Sequence, residues 1–247
     1  MMTKTEIFAA LHVSGAPLIL FNIWDAGSAI AVAKAGAVAL ATGSWGVAGA
    51  HGAGDGEALP LDLVIANAQR IVSVTDLPVS VDLETGYGPS VDDVRASAQA
   101  IADAGAVGIN LEDRIIGGEG LYPIAEQSAR ITAAASTGLF VNARTDLFIK
   151  APADSHDKQL VAQAVERAKA YADSGARCFF APFLIDPNLI AVLCDASPLP
   201  VNILVRPGCP SHNAMAKLGV ARISHGHGPW AAAMTALEEQ ARAVLIS

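Results

Sequence analysis

The chain has 247 residues, of which 52% are hydrophobic and 16% charged, with a net charge of −8 at neutral pH. So much apolar matter and so little charge exclude a disordered chain, which is poor in core-forming residues. Acidic residues (24) outnumber basic ones (16) and no basic run occurs; this argues against nucleic acid as main partner, because phosphate neutralisation needs clustered Lys and Arg.

The N-terminal segment MMTKTEIFAALHVSG lacks the long apolar core and cleavage site of a signal peptide. Residues 26–41 are the richest apolar stretch, yet most are small and Lys34 crosses them, so no membrane span is expected. Along the chain, short apolar runs alternate with longer segments of helical period. The runs predict strands at 18–23, 38–42, 79–82, 107–112, 140–144, 178–181, 201–204 and 221–225. They are nearly continuous in apolar character, as parallel strands buried on both faces are. Between them, Leu61, Val64, Ala68 and Ile71 keep a helical spacing, as do Val161, Ala164, Val165 and Ala168. Ser90 with Asp93, Asp186 before Pro187, and Ser211 mark helix starts. Glycine precedes several strands, in Ala-Gly-Ala-Val at 35–38 and 104–107, Ser-Gly-Ala-Arg at 174–177 and Leu-Gly-Val-Ala at 218–221. Eight such units predict a single-domain (β/α)8 TIM barrel over residues 1–247, with a doubly wound sheet as runner-up. Cys178, Cys194 and Cys209 form no CxxC pair and leave an odd count, which suits a reducing cytoplasm. The first two fit a core, the third a loop.

In such a barrel, catalytic groups sit at the C-terminal strand ends, and polar residues gather there. Asp82, Glu84 and Glu112 bring carboxylates from adjacent strands to one mouth, where like charges repel. Either a hard divalent cation offsets them, Mg²⁺ or Mn²⁺ for all-oxygen ligands, or they pair with Arg114 and Arg144 or cap neighbouring helices. His225 and His227, after the eighth strand, are candidates for acid–base catalysis or for bonding loop carbonyls. Glycine-flanked Glu119 and Tyr122 either close over a substrate or stay solvated. His51 either reaches the site or ends a turn. Gly226-His227-Gly228-Pro229 offers amides to an anion in a weaker, phosphate-binding reading.

The segments VDLETGYG (81–88), GINLEDR (108–114), VNARTD (141–146), NIWDAGSA (22–29) and GDGEAL (54–59) resemble the isocitrate lyase/phosphoenolpyruvate mutase family along most of the chain. The resemblance implies a (β/α)8 barrel, a homodimer or homotetramer often exchanging its last helix, and chemistry on small 2-oxo or 2-hydroxy acids through a Mg²⁺-stabilised enolate. It implies that Asp82 contacts the metal, with Asp55, Glu84 and Glu112 acting through water. Arg144 would hold the substrate carboxylate, and Ser44, Trp45 and Gly46 the other end of the acid. Family lyases carry a Lys-x-Cys-Gly-His-like motif in the loop after strand four, and family mutases and hydrolases carry Lys and Asn there. This chain has residues 115–123, IIGGEGLYP, instead. The expectation is a Mg²⁺-dependent carbon–carbon lyase resembling oxaloacetate decarboxylase, working by decarboxylation or retro-aldol cleavage, with Arg144, Glu112 and His225 catalytic. A C–P bond enzyme, either phosphonopyruvate hydrolase or phosphoenolpyruvate mutase-like, and a lapsed metabolite-binding barrel are the alternatives.

Overall fold

The computed structural model describes residues 2–246. Thr3 caps α1 (Lys4–Ala10) in a capping box with Glu6, and β1 (Leu18–Leu20) follows. Next come α2 (Ala26–Lys34), β2 (Leu40–Ala41), α3 (Ser44–Ala50), α4 (Leu61–Ser73) and β3 (Val79–Asp82). Ser90 and Asp93 form the expected reciprocal cap of α5 (Val91–Asp103), ahead of β4 (Gly108–Glu112), α6 (Ile124–Ala135) and β5 (Phe140–Arg144). The short α7 (Leu147–Lys150) precedes α8 (Lys158–Asp173) and β6 (Cys178–Phe180). Asp186 caps α9 (Pro187–Ala196) with proline at its first turn; after β7 (Val201–Leu204), Ser211 caps α10 (His212–Lys217). β8 (Arg222–Ser224) and α11 (Gly228–Leu245) complete the order. The predicted helical periods lie on buried faces, Val64, Ala68 and Ile71 of α4 and Val161, Ala164, Val165 and Ala168 of α8.

All eight strands pair in parallel, in the order β1-β8-β7-β6-β5-β4-β3-β2. The ring closes between β1 and β2 through one bridge, Ile23 with Thr42, carried by Ile23 N–H to Ala41 O (2.9 Å) and Gly43 N–H to Ile23 O (3.2 Å). Both strands are shorter than the sequence suggests because this seam is a bridge, not a ladder. Asn22 fastens it: its Nδ2 donates to Thr42 O (2.9 Å), and its Oδ1 accepts from the amides of His225 (2.9 Å) and Gly226 (2.8 Å). The result is a (β/α)8 barrel.

Along β4, residues Ile109 and Leu111 pack outward into the main core with Val141, Ala143, Ile203 and Ile223. The intervening positions form a buried polar layer inside the barrel. There Asn142 Nδ2 donates to Asn110 Oδ1 (2.8 Å), as does an Arg222 guanidinium nitrogen (3.2 Å), and Ser224 Oγ donates to Asn202 Oδ1 (3.2 Å). The apparently continuous apolar strands thus conceal an inward polar row. Below it, α1 plugs the barrel floor: Phe8 meets Phe140 edge-on at 5.1 Å, and His12 stacks on Phe140 at 4.4 Å. Among the described residues, two apolar stretches are notably exposed. Ile19 on the outer side of β1 and Phe21 just after it are 45% and 50% exposed, and α11 is exposed from Met234 to its end. No helix among the described residues is long and apolar enough to cross a membrane.

His12 makes the floor acid-sensitive. Burial, and next the positive charge of Arg222, depress its imidazole to about 3. An unfolded histidine titrates near 6.5, so between those values the unfolded chain binds the extra proton. Stability therefore falls as pH drops below about 6.5, by roughly 1.4 kcal/mol per pH unit. His12→Phe, which also forfeits the 2.8 Å contact from Nδ1 to Phe8 O, should cost about 1 kcal/mol at pH 8. It should also shrink the loss between pH 6.5 and 5 by about 2 kcal/mol in urea unfolding.

Candidate active site

A cavity of about 240 Å³ occupies the C-terminal mouth of the barrel, and Ser44, Trp45, Asp55, Asp82 and Arg144 all reach its wall. Register explains the core of it. β4 and β5 pair Glu112 directly with Arg144, and Asp82 pairs with Asn110 across β3 and β4.

The β4–β5 side is electrically closed. Arg144 lies 2.7 Å from Glu112 Oε2 and donates to both oxygens of Asp146, at 2.6 and 3.1 Å. Arg114 lies 3.0 Å from Glu112 Oε1 and 3.9 Å from Asp146. Burial alone would lower the Arg144 pKa, but Glu112 and Asp146 hold it above its ordinary value. Burial pushes the Glu112 carboxyl up, against the pull of Arg144. Glu112 thus adopts the arginine-paired arrangement. Behind it stands Asp113, fully buried, which the sequence did not single out. Its Oδ1 accepts the Asp146 amide (2.9 Å), and its Oδ2 accepts Arg167 (3.1 Å) and the Tyr171 hydroxyl (2.9 Å).

The β2–β3 side is different. Asp82 Oδ2 accepts the Ser44 amide (3.1 Å), and Asp55 Oδ1 accepts the Ser44 hydroxyl (2.9 Å). Glu84 sits at φ 51°, a left-handed conformation costly for a side chain with a Cβ. Its Oε2 accepts the amides of Gly56 and Glu57, both at 2.8 Å. Burial first, then the charges of Asp82 and Asp55, raise Glu84 to about 7. Among the described residues no Lys, Arg or His lies within 4 Å of Asp55, Asp82 or Glu84. Asp82 Oδ1 is buried without a hydrogen-bond partner, an expensive arrangement unless something meets it. No three Asp, Glu, His or Cys side chains among the described residues form a ready-made metal cluster. A cation here would keep several waters, and this all-oxygen donor set fits that habit of Mg²⁺.

Four expected residues, Glu84, Glu112, His225 and Gly46, lie off the wall. Alternation along β8 turns Arg222 and Ser224 inward, so His225 faces outward, against Phe21 (5.3 Å) and His212 (5.2 Å). His227 lines the cavity instead, stacked on Trp45 at 4.6 Å. Gly46 is buried within α3, where a Cβ would lie 3.1 Å from Trp230. His51 bonds Val47 O at the end of α3. Tyr122 lies under the Arg130 guanidinium (4.3 Å), while Glu119 is exposed on the loop between Arg114 and Leu121, which pair as an antiparallel bridge.

A family model described as phosphoenolpyruvate phosphomutase matches residues 8–245. The chain belongs to this family. Within the phosphomutase family, a crystal structure of a candidate phosphonomutase from Burkholderia cenocepacia superposes with a TM-score of 0.94 and 47% identity, covering 97% of each chain. The 2-methylisocitrate lyase of Salmonella typhimurium is 29% identical over 206 residues, 79% of this chain and 68% of its own. A phosphonopyruvate hydrolase in complex with oxalate and Mg²⁺ shares the fold at TM-score 0.83 and 21% identity, over 96% of this chain and 85% of that one.

In this phosphomutase-family chain, Asp113 ties the loops carrying Arg114 and Asp146 to α8. Asp113→Ala strands Arg167 and should cost about 3–5 kcal/mol in urea unfolding. Asp113→Asn, which keeps an acceptor for the Asp146 amide, should cost less.

Proposed function

We propose that the chain is a Mg²⁺-dependent lyase that cleaves a carbon–carbon bond in a small 2-oxo or 2-hydroxy carboxylic acid, by decarboxylation or retro-aldol cleavage. The observation that carries this reading is the division of the mouth. Arginines neutralise Glu112 and Asp146, whereas Asp55 and Asp82 line the cavity, with the buried Glu84 feeling their charge, and among the described residues none of these three has a cationic side chain within 4 Å. In this reading Asp82 holds the metal through its unpartnered Oδ1, with Asp55, Glu84 and Glu112 in support; Mn²⁺ suits the same oxygens. When bound, the cation supplies Lewis acidity that stabilises charge building on the substrate as an enolate forms. Arg144 takes the substrate carboxylate, its planar fork already oriented by Asp146. Ser44 and Trp45, on the helix that also holds Gly46, line the wall beside Asp82, and the acid–base role passes from His225 to His227. A reducing, cytoplasmic setting accompanies this reading, supported by three free thiols.

Calorimetric titration of metal-free protein with Mg²⁺ should show saturable binding, and Asp82→Ala should abolish binding and activity while the circular dichroism is retained. Absence of binding in the parent protein would sink the reading. Oxaloacetate, methylisocitrate, dimethylmalate and phosphonopyruvate, each tested with and without EDTA, sort the reactions. Turnover of phosphonopyruvate alone would favour C–P chemistry, which the 47% identity to a candidate phosphonomutase supports.

We propose further that the protein is a homodimer or homotetramer in which α11 exchanges between subunits. Leu237 and Leu245 on α11 are 61% and 81% exposed, while Ile19 on β1 and Phe21 just after it are 45% and 50% exposed. Multi-angle light scattering should give two or four times the 25.3 kDa chain mass, and the Leu237→Asp, Leu245→Asp double variant should lower it to one.

A further inference from the structure

Arg206 lines the same cavity as Asp82 and Arg144, but from the loop after β7. In the ring of strands β7 lies four places from β3, so Arg206 and Asp82 stand across the mouth from each other. Arg144 and Arg114 each already contact carboxylates of the protein; among the described residues, no carboxylate lies within 4 Å of Arg206. A guanidinium with no protein acid beside it, in a chain with an excess of acids, suits a negative charge carried by a ligand.

The side chain is held in place for that purpose. Its guanidinium carbon lies 3.3 Å from the centroid of the Phe183 ring, a cation–π contact that fixes the plane while leaving its edge N–H groups free to donate. Phe183 itself sits at φ 70°, a conformation that a bulky aromatic residue adopts only when its surroundings impose it. The backbone of Arg206 is pinned on both sides, by Val205 N–H to Ser224 O (2.8 Å) and by Cys209 N–H to Arg206 O (3.0 Å). Phe180, Pro182, Leu204 and Ile149 supply the neighbouring wall, and such apolar surroundings strengthen an ion pair formed among them.

We infer that Arg206 and Phe183 form a second anion subsite, and that the substrate is a dicarboxylic acid whose distal carboxylate binds there. The inference rests on the metal-site reading above, which assigns the other end of the acid to Asp82 and Arg144. It also bears on the reaction. Decarboxylation at the clamped end would turn the carboxylate into neutral CO₂ and break the ion pair as the step proceeds, which binds ground state over transition state. Retro-aldol cleavage neither makes nor destroys that carboxylate. The clamp therefore favours the retro-aldol branch.

Two matched pairs of acids test the subsite by calorimetry in the presence of Mg²⁺. They are 2-oxoglutarate against 2-oxopentanoate, and malate against 2-hydroxybutanoate; in each pair a methyl group replaces the distal carboxylate. At least one diacid should bind about tenfold to a hundredfold more tightly than its partner, as a charge-assisted bidentate contact does. Arg206→Gln should erase that preference and leave the monoacids unchanged, and Arg206→Lys should restore part of it. Equal binding within both pairs, or a preference that survives Arg206→Gln, overturns the inference alone. If neither Mg²⁺ nor any of the four acids binds, the metal-site reading fails and takes the inference with it.

Discussion

The Arg144 guanidinium is held between Glu112 and Asp146 at the edge of the cavity, its side chain 17% exposed, and the arrangement of the barrel mouth follows from keeping it there. A buried cation is tolerable only with its counter-charges in contact, and removing either one leaves several kcal/mol uncompensated. That requirement fixes the β4–β5 register at Glu112 opposite Arg144 and demands that the Asp146 backbone be held, which Asp113 does from behind. It also consumes the nearby positive charge. Asp55, Asp82 and Glu84 are left to repel one another, and burial first, then the charges of Asp82 and Asp55, raise Glu84 to about 7. The site is therefore asymmetric by construction. One side has settled its charges within the protein, and the other settles them with what it binds.

Unusual backbone conformation marks the same places. Glu84, Tyr87 and Phe183 all have positive φ, and all follow strands at the mouth. The loop bearing the first two is clamped from both faces. Glu57 accepts the Tyr87 amide at 2.9 Å, and Arg130 donates to Pro89 O at 2.7 Å. Rigid support on this scale keeps carboxylates at a spacing they would otherwise relax away from.

Much of this was legible in the chain. Helix starts at Ser90, Asp186 and Ser211 were readable because a cap is a local event between residues two or three apart. The eight strands were readable because their apolar content is continuous. What the sequence hid was parity. Asn110, Asn142, Asn202 and Arg222 are single polar residues within apolar runs, and only the closed ring shows that they share one interior. The same parity sends His225 outward and leaves His227 at the cavity. Gly46 belongs to a different kind of omission, since the approach of Trp230 is a contact between distant elements. Asp113 was within reach, as the neighbour of Glu112 on a strand where alternate residues face opposite ways. Arg206 and Phe183 were not, because a ring stacked under a guanidinium leaves no spacing rule behind.

The fastening of the seam by Asn22 has a consequence for how the molecule comes to exist. Its side chain joins the start of the barrel to the His225 amide, 203 positions along the chain. A growing polypeptide can thus pair β2 through β5, and gather both the settled and the unsettled charges, long before the ring can close. Closure waits for contacts between residues more than 200 positions apart, whose loop entropy is large. Until then the acidic half of the mouth belongs to an open sheet, its carboxylates in water.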